Sequence, residues 1–235
     1  MLTIVPTPLG NLEDMTPRAL RALKEAEAVY CEDTRRTRQL MSHFGISTPL
    51  LRYHEHDARS ADQLLERLKR GGKLALVSDG GLPGVSDPGR RIVALARKER
   101  VPVTALPGGS AVTTALAGSG LPADSFVFLG FLPRSAGKQK KLLAEAGKLE
   151  KTLAIYESPY RVVALLETAE EVFGPGAQAC VAREISKMHE EWLRGTLGEL
   201  RAELSGRKEI LGEFVVMIHP SADPQEPERA HDADH

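Results

Sequence analysis

Short apolar runs alternate with amphipathic stretches from one end of the chain to the other, a pattern that predicts an α/β fold with parallel or mixed sheets. Leu2 to Thr7 reads as the first strand. Thr16 is a good N-cap and Pro17 suits a first helical position, so a helix is expected from there to about Glu25. Ala28 to Cys31 reads as a strand, Arg35 to His43 as a helix stopped near Gly45, and Leu50 to Tyr53 as a third strand. Ser60 is expected to cap a helix reaching Arg70. Lys73 to Ser78 is a strand that opens into a Gly/Pro loop at 79 to 89, before a helix over Arg90 to Lys98. Val101 to Leu106 is a further strand, and P-G-G-S at 107 to 110 turns it into a helix whose first turn has free N–H groups.

The segment S-G-L-P-A-D at 119 to 124 reads as a link to a second unit. Strands are expected there at Phe126 to Leu129, Thr152 to Tyr156, Gln178 to Ala182, Glu191 to Arg194 and Gly212 to His219. Helices are expected at Lys138 to Gly147, Pro159 to Phe173 and Thr196 to Leu204. The last sixteen residues have three prolines, no aromatic residue and no periodicity. The domain reading is therefore an N-terminal α/β domain over 1–118, a C-terminal α/β domain over 119–219 and a disordered acidic tail over 220–235.

The length of 235 residues accommodates two small α/β domains, and 42% hydrophobic with 27% charged residues is ordinary for a globular chain. No apolar run approaches the ~20 residues of a membrane span, and the first residues lack a basic, cleavable leader, so no membrane partner and a cytoplasmic location are expected. Cys31 and Cys180 sit in apolar runs without C-x-x-C spacing and read as buried thiols. The net charge of -1 averages unlike parts: from Pro220 onward five acids face one arginine, so the rest of the chain is mildly basic. Its surplus concentrates between Arg134 and Lys151, where six Lys/Arg face two Glu.

The chain contains neither G-x-G-x-x-G after a strand, nor a P-loop, nor G-x-S-x-G. It does have three Gly/Pro loops, at 6 to 11, 79 to 89 and 107 to 110, each following a strand. In open α/β sheets ligands collect at those carboxyl ends, where glycine admits close backbone approach and proline stiffens the loop. Y-H-E-H-D at 53 to 57 offers two imidazoles on one side of a strand end, readable as metal ligands, a hydrogen-bonded structural pair or a polar wall. Glu32-Asp33 and Glu184 follow strands and are candidate general bases, with Arg35, Arg36 and Arg38 available to phosphate; alternatively Asp33 caps the next helix.

Together these segments resemble one family. T-P-L-G-N-L-E-D-M-T-P-R-A-L, C-E-D-T-R-x-T, Y-H-E-H, V-S-D-G-G-L-P-G-V-S-D-P-G, P-G-G-S-A, G-L-P-x-D-x-F-x-F-x-G-F-L-P-R, Y-E-S-P-Y-R and A-R-E-I-S-K-M-H-E-E run in unbroken order over residues 2 to 218. They are similar to the ribosomal RNA small subunit methyltransferase I family, a branch of the tetrapyrrole methylase superfamily. The resemblance implies two α/β domains with S-adenosylmethionine in the cleft between them, and a homodimer. It also implies 2'-O-methylation of a cytidine in 16S rRNA at the decoding centre, within the 30S subunit. A sister enzyme acting on a porphyrin or diphthamide precursor, a non-catalytic ribosome-assembly factor and a metallo-hydrolase are the rival readings.

Residue by residue, the resemblance places Pro6, Pro8 and Gly10 in a cofactor-facing loop. Asp79, Gly81, Leu82 and Pro83 fall in a second such loop, Ser110 and Ala111 in a third, and Tyr156, Glu157 and Ala182 in the second domain's share of the pocket. Glu32 falls where porphyrin-methylating relatives carry an acid, which puts it ahead of Asp33 as base, beside His54. Arg35, Arg134, Lys138, Lys140 and Lys141 are the expected RNA contacts, and no metal is implied. The chain departs from the usual pattern at Gly80, Leu82, Gly109 and Tyr160.

Overall fold

Residues 1–221 of the chain are described from a computed structural model. The chain divides into two compact units, Met1–Ala111 and Val112–His235. Apart from Pro220 and Ser221, the tail expected at 220–235 lies outside the described residues.

The first unit is built on strands β1 (Leu2–Ile4), β2 (Ala28–Cys31), β3 (Leu50–Arg52), β4 (Leu74–Leu76) and β5 (Val103–Ala105). They form one sheet in the order β3-β2-β4-β1-β5, with every pair parallel. Such a sheet is covered on both faces, and the side-chain alternation shows it. Leu2, Ile4, Leu74 and Leu76 enter one core with Tyr53, Leu64 and Ile92, while Val5, Ala75, Val77, Val29 and Cys31 enter the other with Leu23 and Met41.

Helix starts follow capping chemistry. The Thr16 hydroxyl accepts from Ala19 N–H at 3.1 Å to open α1 (Pro17–Glu25), and the Asp33 carboxylate accepts from Arg35 N–H at 2.8 Å to open α2 (Thr34–His43). Helix α3 (Ala58–Lys69) begins earlier than expected because Asp57 caps it. Ser60 is buried inside α3, where its hydroxyl accepts from His54 N–H at 3.2 Å. Helix α4 (Arg90–Lys98) matches its expected span.

In the second unit, β6 (Phe126–Phe131), β7 (Thr152–Glu157), β8 (Gln178–Arg183), β9 (Glu191–Thr196) and β10 (Phe214–His219) form a mixed sheet in the order β6-β7-β10-β8-β9. Only β6 and β7 run parallel; β10 is antiparallel to β7 and β8, and β9 to β8. Helices α6 (Ala136–Gly147), α7 (Val162–Phe173) and α8 (Leu197–Ser205) contribute Leu143, Leu165, Leu166 and Leu200 to a core with Leu153, Ile155, Val181 and Val216. The preceding helix, α5 (Ala111–Ser119), packs with this unit. The Tyr156 hydroxyl accepts from Val112 N–H at 3.2 Å, and a Cβ at Gly118 would lie 2.5 Å from the Trp192 ring. The boundary between compact units accordingly falls at the start of α5, seven residues before the Gly/Pro link read from the sequence. Both cysteines are buried free thiols, and burial pushes Cys180 up to about 11. Among the described residues no helix is long and apolar enough to cross a membrane.

Candidate active site

All five strands of the first sheet point their carboxyl ends the same way, so the loops after them share one edge. Three of these loops interlock. Thr7 and Gly81 exchange backbone hydrogen bonds of 2.9 and 3.0 Å, joining the loop after β1 to the loop after β4. The buried Thr7 hydroxyl donates to Ser78 O at 3.0 Å and the Ser78 hydroxyl to Gly81 O at 3.2 Å. The loop after β5 closes on the same place: a Cβ at Gly108 would lie 2.4 Å from Pro6 Cγ, and one at Gly109 would lie 3.1 Å from Thr7 O.

The residues expected to face cofactor in the first unit differ in exposure around this lock. Pro6, Gly81 and Pro83 are buried, Pro8 and Ser110 are half-buried, and Gly10 and Asp79 are exposed. Leu82 packs against the core under β4, and Ala111 opens α5. Asp79 lies 3.7 Å from the Arg36 guanidinium, an exposed pair of small energetic weight that links the β4 loop to α2.

Glu32 and His54 lie just past the ends of neighbouring strands at this edge, since Cys31 pairs with Arg52 and Tyr53 N–H donates to Cys31 O at 2.9 Å. Both are exposed. Asp33 is committed to capping α2, and its hydrogen bond from Arg35 N–H holds its carboxyl below the usual range, so the capping alternative is the one realised. Burial alternates along Y-H-E-H and leaves both imidazoles on the exposed side. Tyr53 is fully buried and donates to Glu55 at 2.9 Å, while His54 and His56 face solvent. The Glu55 carboxylate then accepts from Gly89 N–H at 2.8 Å and Arg91 N–H at 2.9 Å.

The second unit places its expected residues unevenly. Tyr156 is half-buried, with its ring edge-on to Phe128 at 4.9 Å and Phe131 at 5.6 Å. The Glu157 side chain is only 1% exposed; its Oε1 accepts from Ser158 N–H at 2.8 Å and its Oε2 lies 2.9 Å from Arg161. Ala182 is buried mid-sheet opposite Val215 and Trp192. Glu184, the other candidate base, is enclosed by Lys187 Nζ at 2.8 Å and Glu213 N–H at 2.8 Å.

Among the expected RNA contacts, Arg35, Arg134, Lys138 and Lys141 are exposed, whereas Lys140 is paired with Glu171 of α7. Gln139 is buried between them and donates to Pro133 O at 2.7 Å, which fixes the start of α6 to the loop before it. Thr7, Ser78, Glu55 and Gln139 are the site-shaping residues that sequence reasoning passed over. A buried-side polar residue at alternating spacing was the available signal for Glu55.

Residues 1–201 match the Tetrapyrrole (Corrin/Porphyrin) Methylases. Among curated proteins, the chain is 43% identical to ribosomal RNA small subunit methyltransferase I of Halalkalibacterium halodurans, over 97% of this chain and 78% of that protein. It is also 43% identical to the protein of the same name from Vibrio cholerae, over 96% of this chain and 79% of the other. A solved structure of uroporphyrin-III C-methyltransferase from Thermus thermophilus, complexed with S-adenosyl homocysteine, is similar with a TM-score of 0.63 and 20% identity. It covers 92% of this chain and 96% of that one, and shows the shared fold. The class is therefore that of the tetrapyrrole methylases, two-unit α/β methyltransferases. Within that class the chain belongs to the ribosomal RNA small subunit methyltransferase I family.

Proposed function

We propose that this chain transfers a methyl group from S-adenosylmethionine to the ribose 2'-oxygen of a cytidine in 16S rRNA. The observation that carries this reading is 43% identity over 97% of the chain to a protein named for small-subunit rRNA methylation. The fold alone is shared with a porphyrin-methylating enzyme, so it supports methyl transfer without choosing the acceptor.

The residues at the first unit's carboxyl edge fit this cofactor. Among the described residues, the N–H groups of Gly108 and Gly109 donate no hydrogen bond to a protein acceptor, and they adjoin the start of α5. Main-chain donors beside small, stiff loops suit the polar groups of a nucleoside with an amino-acid tail. When bound, S-adenosylmethionine would supply a methyl carbon on a positively charged sulfur, and that sulfur would leave in line as a neutral thioether as the methyl passes to oxygen. The chain's own work is alignment and proton removal. The Thr7–Gly81 lock holds three loops in one arrangement before binding, which is where positioning gains are made. Glu32 or His54 accepts the ribose hydroxyl proton as the oxygen–carbon bond forms, a step worth about 10²- to 10⁴-fold. Asp33 is unsuited because its carboxylate is already held by Arg35 N–H.

Arg134, Lys138 and Lys141 supply phosphate contacts from the start of α6. The acceptor in this reading is the rRNA within the 30S subunit, the enzyme acts as a homodimer, and its place is the cytoplasm. The test is transfer of tritiated methyl from S-adenosylmethionine to 30S particles and to free 16S rRNA from an unmodified strain, with calorimetry of cofactor binding. Label on one cytidine ribose is the expected result. Cofactor binding without label on RNA overturns the reading and returns the chain to a porphyrin-type or diphthamide-type acceptor.

A further inference from the structure

We propose that the carboxyl edge of the second sheet carries a nucleobase-stacking site, in which Tyr160 and Phe131 hold unpaired bases of the RNA while Arg134 and α6 hold its phosphates. The proposal rests on the RNA-methylating reading and deepens it. Topology places the parts together. Strands β6 and β7 run parallel, and β7 and β8 are both antiparallel to β10, so β6, β7 and β8 all end at one edge. Phe131 ends β6 and is 60% exposed; Tyr160 lies three residues past the end of β7 and is 90% exposed.

The two loops are tied to each other. The Arg161 guanidinium donates to Leu132 O at 3.0 Å, and the buried Glu157 carboxylate lies 2.9 Å from the same nitrogen. Phe131 is further steadied by its edge-on contact with Tyr156 at 5.6 Å. Two aromatic rings thus stand largely exposed on anchored backbone, Tyr160 almost wholly so. The charge around them fits one occupant. Arg134 follows Phe131 by three residues, and exposed Lys138 and Lys141 continue the cationic run, with Lys140 alone neutralised by Glu171. Aromatic faces beside cations suit a single-stranded or splayed nucleic acid, whose bases stack and whose phosphates pair.

The test is equilibrium binding of unmethylated 30S particles, and separately of free 16S rRNA, by the full-length protein and its variants Tyr160→Ala, Tyr160→Leu, Tyr160→Phe and Tyr160→Trp. Stacking needs a π face, so Ala and Leu should weaken binding about 5- to 100-fold, while Phe and Trp stay within about threefold of the parent. S-adenosylmethionine affinity, read by calorimetry, should be the same in all five proteins. Wild-type RNA affinity in Tyr160→Ala, or equal affinity in Tyr160→Leu and Tyr160→Phe, overturns the stacking site. So does a change of oligomeric state in Tyr160→Ala by sedimentation, which would give this face to a second copy of the chain. If the parent protein itself labels no RNA, it is the function that fails; if it labels RNA and Tyr160→Ala binds normally, only the stacking site fails.

Discussion

The carboxylate of Glu55 closes the N-terminus of α4 by accepting the Gly89 N–H at 2.8 Å, across 34 residues of sequence. The buried Tyr53 hydroxyl donates to the same oxygen at 2.9 Å, and the second oxygen accepts Arg91 N–H at 2.9 Å. Gly89 sits at φ 138°, and a Cβ there would lie 3.0 Å from Leu76, so the N-cap position cannot carry a capping side chain of its own. Glu55 supplies from the turn after β3 what the helix lacks locally.

Glu55→Gln is therefore expected to cost about 1–3 kcal/mol of stability, measured by urea unfolding, because a buried phenol and two helix-end donors lose their shared charged acceptor. The effect depends on pH with a defined sign. Burial alone would raise this carboxyl, but the hydrogen bonds from Gly89, Arg91 and Tyr53 together outweigh it and hold it below the ordinary value. Its contribution is then complete above the unfolded-state pKa of about 4.3 and is lost as pH falls through the lower folded value. The stability gap between parent and variant should narrow as pH drops from about 5.5 to about 3. A gap that stays constant over that range would show that the charge is irrelevant.

Much of the scaffold was legible from pattern alone. The elements β2 and α4 sit at their expected bounds, and Thr16-Pro17 and Asp33 cap as residue chemistry dictates. What escaped was decided by partners far along the chain. Ser60 and Asp57 are both acceptable caps, and only the pull of His54 N–H on the Ser60 hydroxyl shows which one is buried inside the helix. Glu55 drew no role of its own in Y-H-E-H because its partners Gly89 and Arg91 lie 34 and 36 residues away. Lys140 read as one more free cation because Glu171 belongs to the next helix. Thr7 and Ser78 read as the last residues of strands, and their role exists only where two loops meet.

Gly108→Ala should disrupt the loop lock directly. The new methyl would meet Pro6 Cγ at 2.4 Å, and Pro6 is buried, so one loop must shift. Overpacking of this kind costs about 1–3 kcal/mol, and here the shift falls on the residues expected to hold cofactor. Calorimetry should show weakened S-adenosylmethionine binding together with a lowered Tm. Normal cofactor affinity in a destabilised variant would separate the lock from the cofactor site.

The proton acceptor is testable at the neighbouring strand ends. Glu32→Gln and His54→Ala alter exposed side chains that stand outside both cores of the first unit, so both variants should fold and bind cofactor as the parent does. In single-turnover methyl transfer, the variant lacking the base should slow by about 10²- to 10⁴-fold, while the other changes little. Parent rates in both would exclude general-base catalysis by either residue and leave alignment as the chain's main contribution.

The cationic run on α6 should not act uniformly. Lys140 is already paired with Glu171, so its replacement removes a cation that is partly neutralised before RNA arrives. Arg134, Lys138 and Lys141 are exposed and make no ion pair among the described residues. Removing one cation that neutralises a phosphate should flatten the dependence of log K on log salt by about 0.7–0.9. Lys138→Ala and Lys141→Ala are thus expected to reduce the slope of RNA binding by about that amount each, and Lys140→Ala by clearly less, with cofactor affinity unchanged throughout. Equal slopes for all three variants would mean that the Glu171 pair opens in the complex, and no change in any of them would make α6 an ordinary solvated helix face. Separating those outcomes needs only the salt series, because a solvated face alters neither slope nor affinity, whereas an opened pair alters both.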